Sequence, residues 1–296
     1  MTRWLVMGAG GMLGRDVLAA LTAAGQTSVT ATDRRRLDVT DAAAVRAAVP
    51  GHDVVVNAAG YTDVDGAEVE PAAAMNLNGH SVTRLAAICA EQGARLVHVS
   101  SDYVFAGDAS TPYPEDAPTG PLNSYGRSKL AGERGVLSHL PSDGYVVRTA
   151  WLYGEHGLNF VSTMLQLAAE RETVDVVDDQ VGQPTWCYAL AQRLVELGLR
   201  AVDGAAPAGI YHGTASGQTT WCGLARTLFT KVGLDPRRVR PTTSDRFPRA
   251  ARRPSYSVLA HGRWRAADLP PMPPWTVMLD QALTRPAFLA LWNRRP

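Results

Sequence analysis

Lysine is nearly missing from this chain: of 29 basic residues in 296, only Lys129 and Lys231 are not arginine. Cysteine is scarce too. Cys89, Cys187 and Cys222 are widely spaced and form no Cys-x-x-Cys pair, which argues against paired-cysteine chemistry and for free buried thiols in a reducing compartment. An excess of either charge is lacking, with 29 basic and 28 acidic residues and a formal net charge of +1, so no basic field points to nucleic acid and no acidic tail to a solvating segment. No apolar run approaches the length that spans a bilayer. The first such run, Trp4–Met7, leads straight into Gly8 and is too short for a signal-peptide core. A cytoplasmic protein without nucleic-acid or membrane partners is the expectation. Internal repeats are absent, no Gly-x-Ser-x-Gly elbow occurs, and the seven histidines are scattered, which leaves metal hydrolysis and nucleophilic-triad chemistry without support.

What is present is an ordinary globular composition, 46% hydrophobic and 19% charged. The first half alternates short apolar runs with segments of helical period, the pattern of a parallel sheet with crossover helices. Strands are expected at Arg3–Met7, Ser28–Thr32, Asp53–Val56, Arg95–Val99 and Tyr145–Arg148. Helices are expected at Met12–Ala24, Asp41–Val49, Ala72–Gln92 and Asn123–Leu137. Beyond about Leu152 the pattern loosens into helical stretches at Asn159–Arg171, Thr185–Arg200, Thr219–Val232 and Trp275–Trp292, with a basic loop region over Arg237–Arg253. The fold class is therefore α/β: a Rossmann-type doubly wound parallel sheet with a smaller mixed α/β lobe. Residues 1–152 would form mainly the dinucleotide-binding domain. Residues 153–296 would form mainly the substrate-binding lobe, with some segments returning to the first domain.

Gly8, Gly11 and Gly14 punctuate the turn between the first strand and the first helix. Such a turn lets the backbone approach a pyrophosphate, whose charge the helix N-terminus favours. The second strand ends at Asp33, where a carboxylate would hold an adenosine ribose and favour NAD. Arg34-Arg35-Arg36 follow at once, and guanidinium groups there suit the 2′-phosphate of NADP; residues alone leave both choices open. Asp38 and Val39 lie where they would flank the adenine, and Asn57-Ala58-Ala59-Gly60 supply small residues after the third strand.

Ser100-Ser101-Asp102-Tyr103 follow the fourth strand, and Tyr125 and Lys129 form an i, i+4 pair on one face of a helix. A phenol near its ordinary pKa of about 10 is a poor acid–base group at neutral pH. An adjacent ammonium would lower it, and Ser101 would hold a substrate carbonyl against the tyrosine. In a chain that uses arginine almost everywhere else, a lysine at this spot is conspicuous.

Taken together, these residues resemble the extended short-chain dehydrogenases/reductases and, more closely, the dTDP-4-dehydrorhamnose reductase family. The marks are the Gly8–Gly14 turn, Val54–Gly60, Tyr61–Glu68, Ser100–Phe105, Pro121–Glu133, Arg148–Gly154, Asp179–Thr185 and Ala251–Pro254. The resemblance implies that Tyr125 protonates the C4 carbonyl oxygen of a dTDP-4-keto-6-deoxy sugar while NAD(P)H delivers hydride. Lys129 would position the cofactor ribose, and Ser101 would fill the family's Ser/Thr position. Asp102 and Trp151 would contact the sugar, Arg253 a nucleotide phosphate. The family's cofactor contacts fall on Gly10, Gly11, Met12, Asp38, Val39, Ala58, Ala59 and Gly60, and the Arg34–Arg36 run leans the choice to NADPH, with NADH open. Some members form a dimer around Mg²⁺. Asp16 matches one ligand position, but Tyr188 stands at another and no counterpart is evident near the C-terminus, so no metal is expected and the chain is read as monomer or homodimer. Two other readings stand beside the rhamnose one: a reductase for a different 4-keto-deoxysugar, and a non-catalytic regulatory subunit of the same fold.

Overall fold

Trp4-Leu5-Val6-Met7 and Val54-Val55-Val56 are buried at every residue, as strands covered on both faces must be. The computed structural model describes residues 1–292, so the last four residues of the expected second lobe lie outside the described part. Six parallel strands make the main sheet: β1 (Trp4–Met7), β2 (Val29–Thr32), β3 (Val54–Asn57), β4 (Arg95–Ser101), β5 (Gly144–Thr149) and β6 (Gly209–His212). Their order is β6-β5-β4-β3-β1-β2. The winding reverses between β1 and β3, and the carboxyl ends there open the crevice in which doubly wound sheets bind ligands. β6, a four-residue strand with no apolar run to announce it, is the one sheet strand the sequence pattern does not predict.

Alternation along the strands sorts the core into two faces. Trp4, Val6, Val54 and Val56 pack with Leu13 and Val17 of α1 (Met12–Ala23) and with Leu190 and Leu194 of a long helix at Cys187–Val202. Leu5, Met7 and Val55 pack on the other face with Val45 of α2 (Ala42–Ala48), Leu85 of α3 (Ser81–Gln92) and Val136 of α4 (Ser124–His139). The first face is continuous with Phe229, Trp264 and Met278 from the second half of the chain. In that half follow α5 (Phe160–Glu170), α6 (Cys187–Val202, already met), α7 (Trp221–Lys231), α8 (Trp275–Leu283) and α9 (Pro286–Trp292).

Several boundaries differ from expectation for local reasons. The helix expected over Ala72–Gln92 runs from Pro71 but carries a π turn at Asn76–His80. The Asn78 side chain there accepts from the Tyr61 N–H, donates to the Tyr61 carbonyl and donates to Ser128 Oγ, ties that favour the wider turn. Thr185–Trp186 is not helical because it pairs with Leu152–Tyr153, and Thr219–Thr220 pairs with Val181–Gly182. The Arg237–Arg253 region is not all loop, since Val239–Thr242 pairs with Val174–Val177. The helix expected over Trp275–Trp292 breaks before Pro286, which cannot continue it.

Candidate active site

The β1–α1 turn is built by close contact. Gly8 has φ +78°, and a Cβ added at Gly14 would lie 2.1 Å from Gly8 O, so the turn folds onto the helix start only with glycine at both places. A Cβ at Gly8 would stand 2.6 Å from Ala59 N, which presses the turn against the end of β3. No side chain caps the start of α1. Its first N–H groups and the dipole behind them are therefore available to an anion.

From this turn a cleft of about 1450 Å³ runs across the carboxyl ends of the strands. It brings together Gly8, Gly10, Gly11 and Met12 from the turn, Asp33, Arg34, Asp38 and Val39 after β2, and Ala58, Ala59 and Gly60 after β3. Ser101, Asp102, Tyr125, Lys129 and Trp151 line it too. Gly14 lies beneath the turn rather than in the cleft wall. Arg253 does not line the cleft: its guanidinium donates to Asp65 Oδ2 at 2.9 Å and to the Ala251 carbonyl at 3.1 Å. That carboxylate partner, 188 residues away in sequence, engages two of the guanidinium's five N–H donors together with the Ala251 carbonyl and leaves the others free for a ligand.

At the β2 end, Asp33 Oδ1 accepts the N–H groups of Arg35 and Arg36 at 3.0 and 3.2 Å, so one of its two carboxylate oxygens fixes its own turn while the residue lines the cleft. Arg34 and Arg35 line the cleft, joined by Arg15, whose Nε donates to Gly10 O at 3.2 Å. Arg15 escapes a sequence reading because a charged residue in the first helix looks like any solvated one. Three guanidinium groups around the open helix start suit a phosphorylated dinucleotide, and the glycine cradle suits its pyrophosphate.

At the other end, Asn123 caps α4 through Gly126 N–H and seats Tyr125 and Lys129 in its first turns. Ser101 lines the cleft beside Tyr125 and donates to Asp102 Oδ1 at 2.9 Å. Asp102 is 2% exposed, and among the described residues its Oδ2 has no hydrogen-bond partner; burial pushes its carboxyl up to about 6. Lys129 Nζ donates to the Val99 carbonyl at 2.6 Å, and burial lowers the ammonium to about 8. The expected lowering of Tyr125 is not what the environment gives. Burial, reinforced by the Asp102 carboxylate and only partly offset by the Ser101 hydroxyl, pushes the phenol up to about 12. A phenol so held is a proton donor at neutral pH, the form a carbonyl reduction consumes.

Trp151 closes the cleft with a left-handed backbone, φ 47°, a strain of about 1–3 kcal/mol that the surroundings must hold in place. Its indole stacks on Trp221 at 3.6 Å and 8°, and Trp221, flanked by Phe160, also lines the cleft. Trp221 is a second site residue that the sequence does not announce, as it opens a helix of ordinary amphipathic pattern. Away from the cleft, Asp16 is buried beside Glu155 and Arg285, and burial raises its carboxyl to about 6. The cation in this group is Arg285, 3.2 Å from Glu155 and 4.7 Å from the centre of the Tyr188 ring.

The model of the RmlD substrate binding domain family matches residues 2–287. The chain belongs to that family. A dTDP-4-dehydrorhamnose reductase of Streptomyces griseus is 55% identical, over 95% of this chain and 92% of that protein. A dTDP-4-keto-6-deoxy-D-glucose reductase of Streptomyces niveus is 51% identical, over 95% and 96%. Among solved structures, the dTDP-4-dehydrorhamnose reductase of Bacillus anthracis in complex with NADP superposes with a TM-score of 0.89 at 34% identity, covering 96% of this chain and 99% of that one. Within the RmlD family the Rossmann-type α/β fold is thus shared over nearly the whole chain. Among the described residues no helix is long and apolar enough to cross a membrane.

Proposed function

We propose that this protein is an NADPH-dependent reductase of the C4 carbonyl of a dTDP-4-keto-6-deoxyhexose, converting dTDP-4-dehydro-L-rhamnose to dTDP-L-rhamnose. The observation that carries the reading is the meeting of Ser101, Tyr125 and Lys129 in one cleft with an uncapped helix start and three arginines. The family relatives, named as reductases of dTDP-4-keto sugars, support the substrate class.

In this reading residues 1–152 mainly hold the dinucleotide and residues 153–296 mainly the sugar nucleotide. Gly8, Gly10, Gly11 and Met12 bind the pyrophosphate, and Asp38, Val39 and Ala58–Gly60 flank the adenosine side. Arg15, Arg34 and Arg35 receive the 2′-phosphate, which favours NADPH over NADH. The reduced nicotinamide, when bound, supplies the hydride for C4. Tyr125 gives its phenolic proton to the carbonyl oxygen as charge develops there, and Ser101 holds that oxygen by turning its one O–H to it from Asp102. Lys129 steadies the phenolate and reaches the ribose hydroxyls. Asp102 accepts from a sugar hydroxyl, and Trp151 with Trp221 excludes water from the ring.

The test is NADPH consumption with dTDP-4-keto-6-deoxy-L-lyxo-hexulose generated in situ, with product identification, beside dTDP-4-keto-6-deoxy-D-glucose. Turnover of the first sugar is expected, and Tyr125→Phe should abolish it while NADPH binding stays nearly intact. Turnover of the second sugar alone would overturn the rhamnose assignment and keep the chemistry. Full activity of Tyr125→Phe would overturn the proton-donor role.

A further inference from the structure

A buried ion pair lies behind the candidate site. Glu133 is 1% exposed and Arg148 2%. Arg148 NH2 donates to Glu133 Oε2 at 2.7 Å, and its Nε reaches both carboxylate oxygens at 3.0 and 3.2 Å. Ser100 Oγ donates to Glu133 Oε1 at 2.5 Å, and the guanidinium sits 4.8 Å over the Phe105 ring. A fully desolvated pair seldom stabilises a fold better than apolar residues of the same size, so its presence here calls for another account.

Position supplies one. Tyr125, Lys129 and Glu133 follow one another at four-residue spacing along α4 and share a face. Lys129 holds the Val99 carbonyl, and Glu133 holds the side chain of the next residue, Ser100. Ser101 comes immediately after. Two fastenings on consecutive residues therefore set the distance between α4 and the end of β4, and with it the approach of Tyr125 to Ser101. Arg148 carries the tie to β5, three residues before Trp151.

We propose that Glu133, oriented by Arg148, is a positioning residue that clamps α4 to the end of β4 and places a fixed negative charge one helical turn behind Lys129. This rests on the reading of Tyr125 as proton donor and Lys129 as its cationic partner. The charged and titratable groups around Lys129 are Tyr125 and Glu133 on α4, His98 on β4 and Asp102 just after it, Arg148 on β5 and His212 behind it on β6. Burial and the Lys129 ammonium keep His98 neutral, and burial lowers His212 to about 3. Glu133 is thus the anion that opposes the desolvation of Lys129.

The experiment is the pH dependence of kcat for the full chain, with NADPH and the keto sugar, in Glu133→Gln, Arg148→Met, the double variant and Ser100→Ala. Loss of the Glu133 charge should move the alkaline limb down by about one unit in Glu133→Gln, and the double variant, which also loses the Arg148 cation, should fall between Glu133→Gln and Arg148→Met. Arg148→Met, which leaves Glu133 uncompensated, should move it up. Ser100→Ala removes a fastening without altering charge and should lower kcat several-fold with the limb unmoved and KM for NADPH unchanged. The double variant, with no orphaned charge, is the one expected to fold if the single variants do not. A limb in folded Glu133→Gln no lower than wild type, or wild-type kcat in Ser100→Ala, would overturn the proposal; the second arm holds whichever pair variants fold. Failure here with Tyr125→Phe inactive sinks the clamp alone, whereas an active Tyr125→Phe sinks the donor reading beneath it.

Discussion

Asp102 shows at the scale of one residue how a site is maintained against stability. Its carboxyl titrates near 6 in the fold instead of the ordinary value near 4, because ionising it at 2% exposure forfeits solvation. A folded-state pKa raised above the unfolded one means that the native state binds the proton more tightly. The contribution is whole below about pH 4 and is lost as pH rises through about 6. Asp102→Asn should therefore be more stable than wild type at pH 7.5 by about 2–3 kcal/mol, with the difference vanishing near pH 4. Denaturant unfolding at the two pH values measures this, alongside a fall in kcat. Equal stabilities at pH 7.5 would mean that the carboxylate is better solvated than its burial indicates. Legibility also differs from residue to residue. Tyr125 and Lys129 were visible because helical spacing and a lysine-poor composition mark them together. The Asp65 partner of Arg253 was not legible because tertiary folding supplies it, and Glu133 stayed hidden because a glutamate in a helix reads as solvent-facing.

In the proposed reading, cofactor binding turns on one element, the β1–α1 turn. Gly14→Ala would place a methyl group 2.1 Å from Gly8 O, against backbone that cannot move aside. The turn must then open and its N–H groups lose their aim. NADPH affinity should fall at least about tenfold, the equivalent of 1.4 kcal/mol, with a measurable drop in Tm; titration by fluorescence tests it, and unchanged affinity would show that the turn does not hold the pyrophosphate. At this scale the sequence was most readable for β1 to β5, whose apolar runs overlap the observed spans within a residue or two. It was least readable for β6 and the paired segments at Leu152–Tyr153 and Thr185–Trp186, which are too short to carry a period and owe their shape to partners far along the chain.

Over the whole molecule, the two halves share one core. α6 from the second half covers the same sheet face as α1, and β6 completes the sheet beside β5. Residues 1–152 alone would expose Trp4, Val54, Val97 and Val147, all fully buried in the intact chain. At roughly 1.5–3 kcal/mol for each such side chain, the loss is of the order of a domain's entire stability. A 1–152 fragment should accordingly fail to fold, and the full chain should unfold in one calorimetric transition whose Tm rises with NADPH. A folded fragment, or two separate transitions, would contradict a shared core.

The stacked indoles of Trp151 and Trp221 also make the cleft its own optical reporter. Two chromophores 3.6 Å apart and nearly parallel share their electronic excitation, so their absorption and emission depend on the spacing between them. A sugar nucleotide settling against Trp151 would perturb that coupling, and the arrival of substrate becomes readable from the protein's intrinsic light without a label.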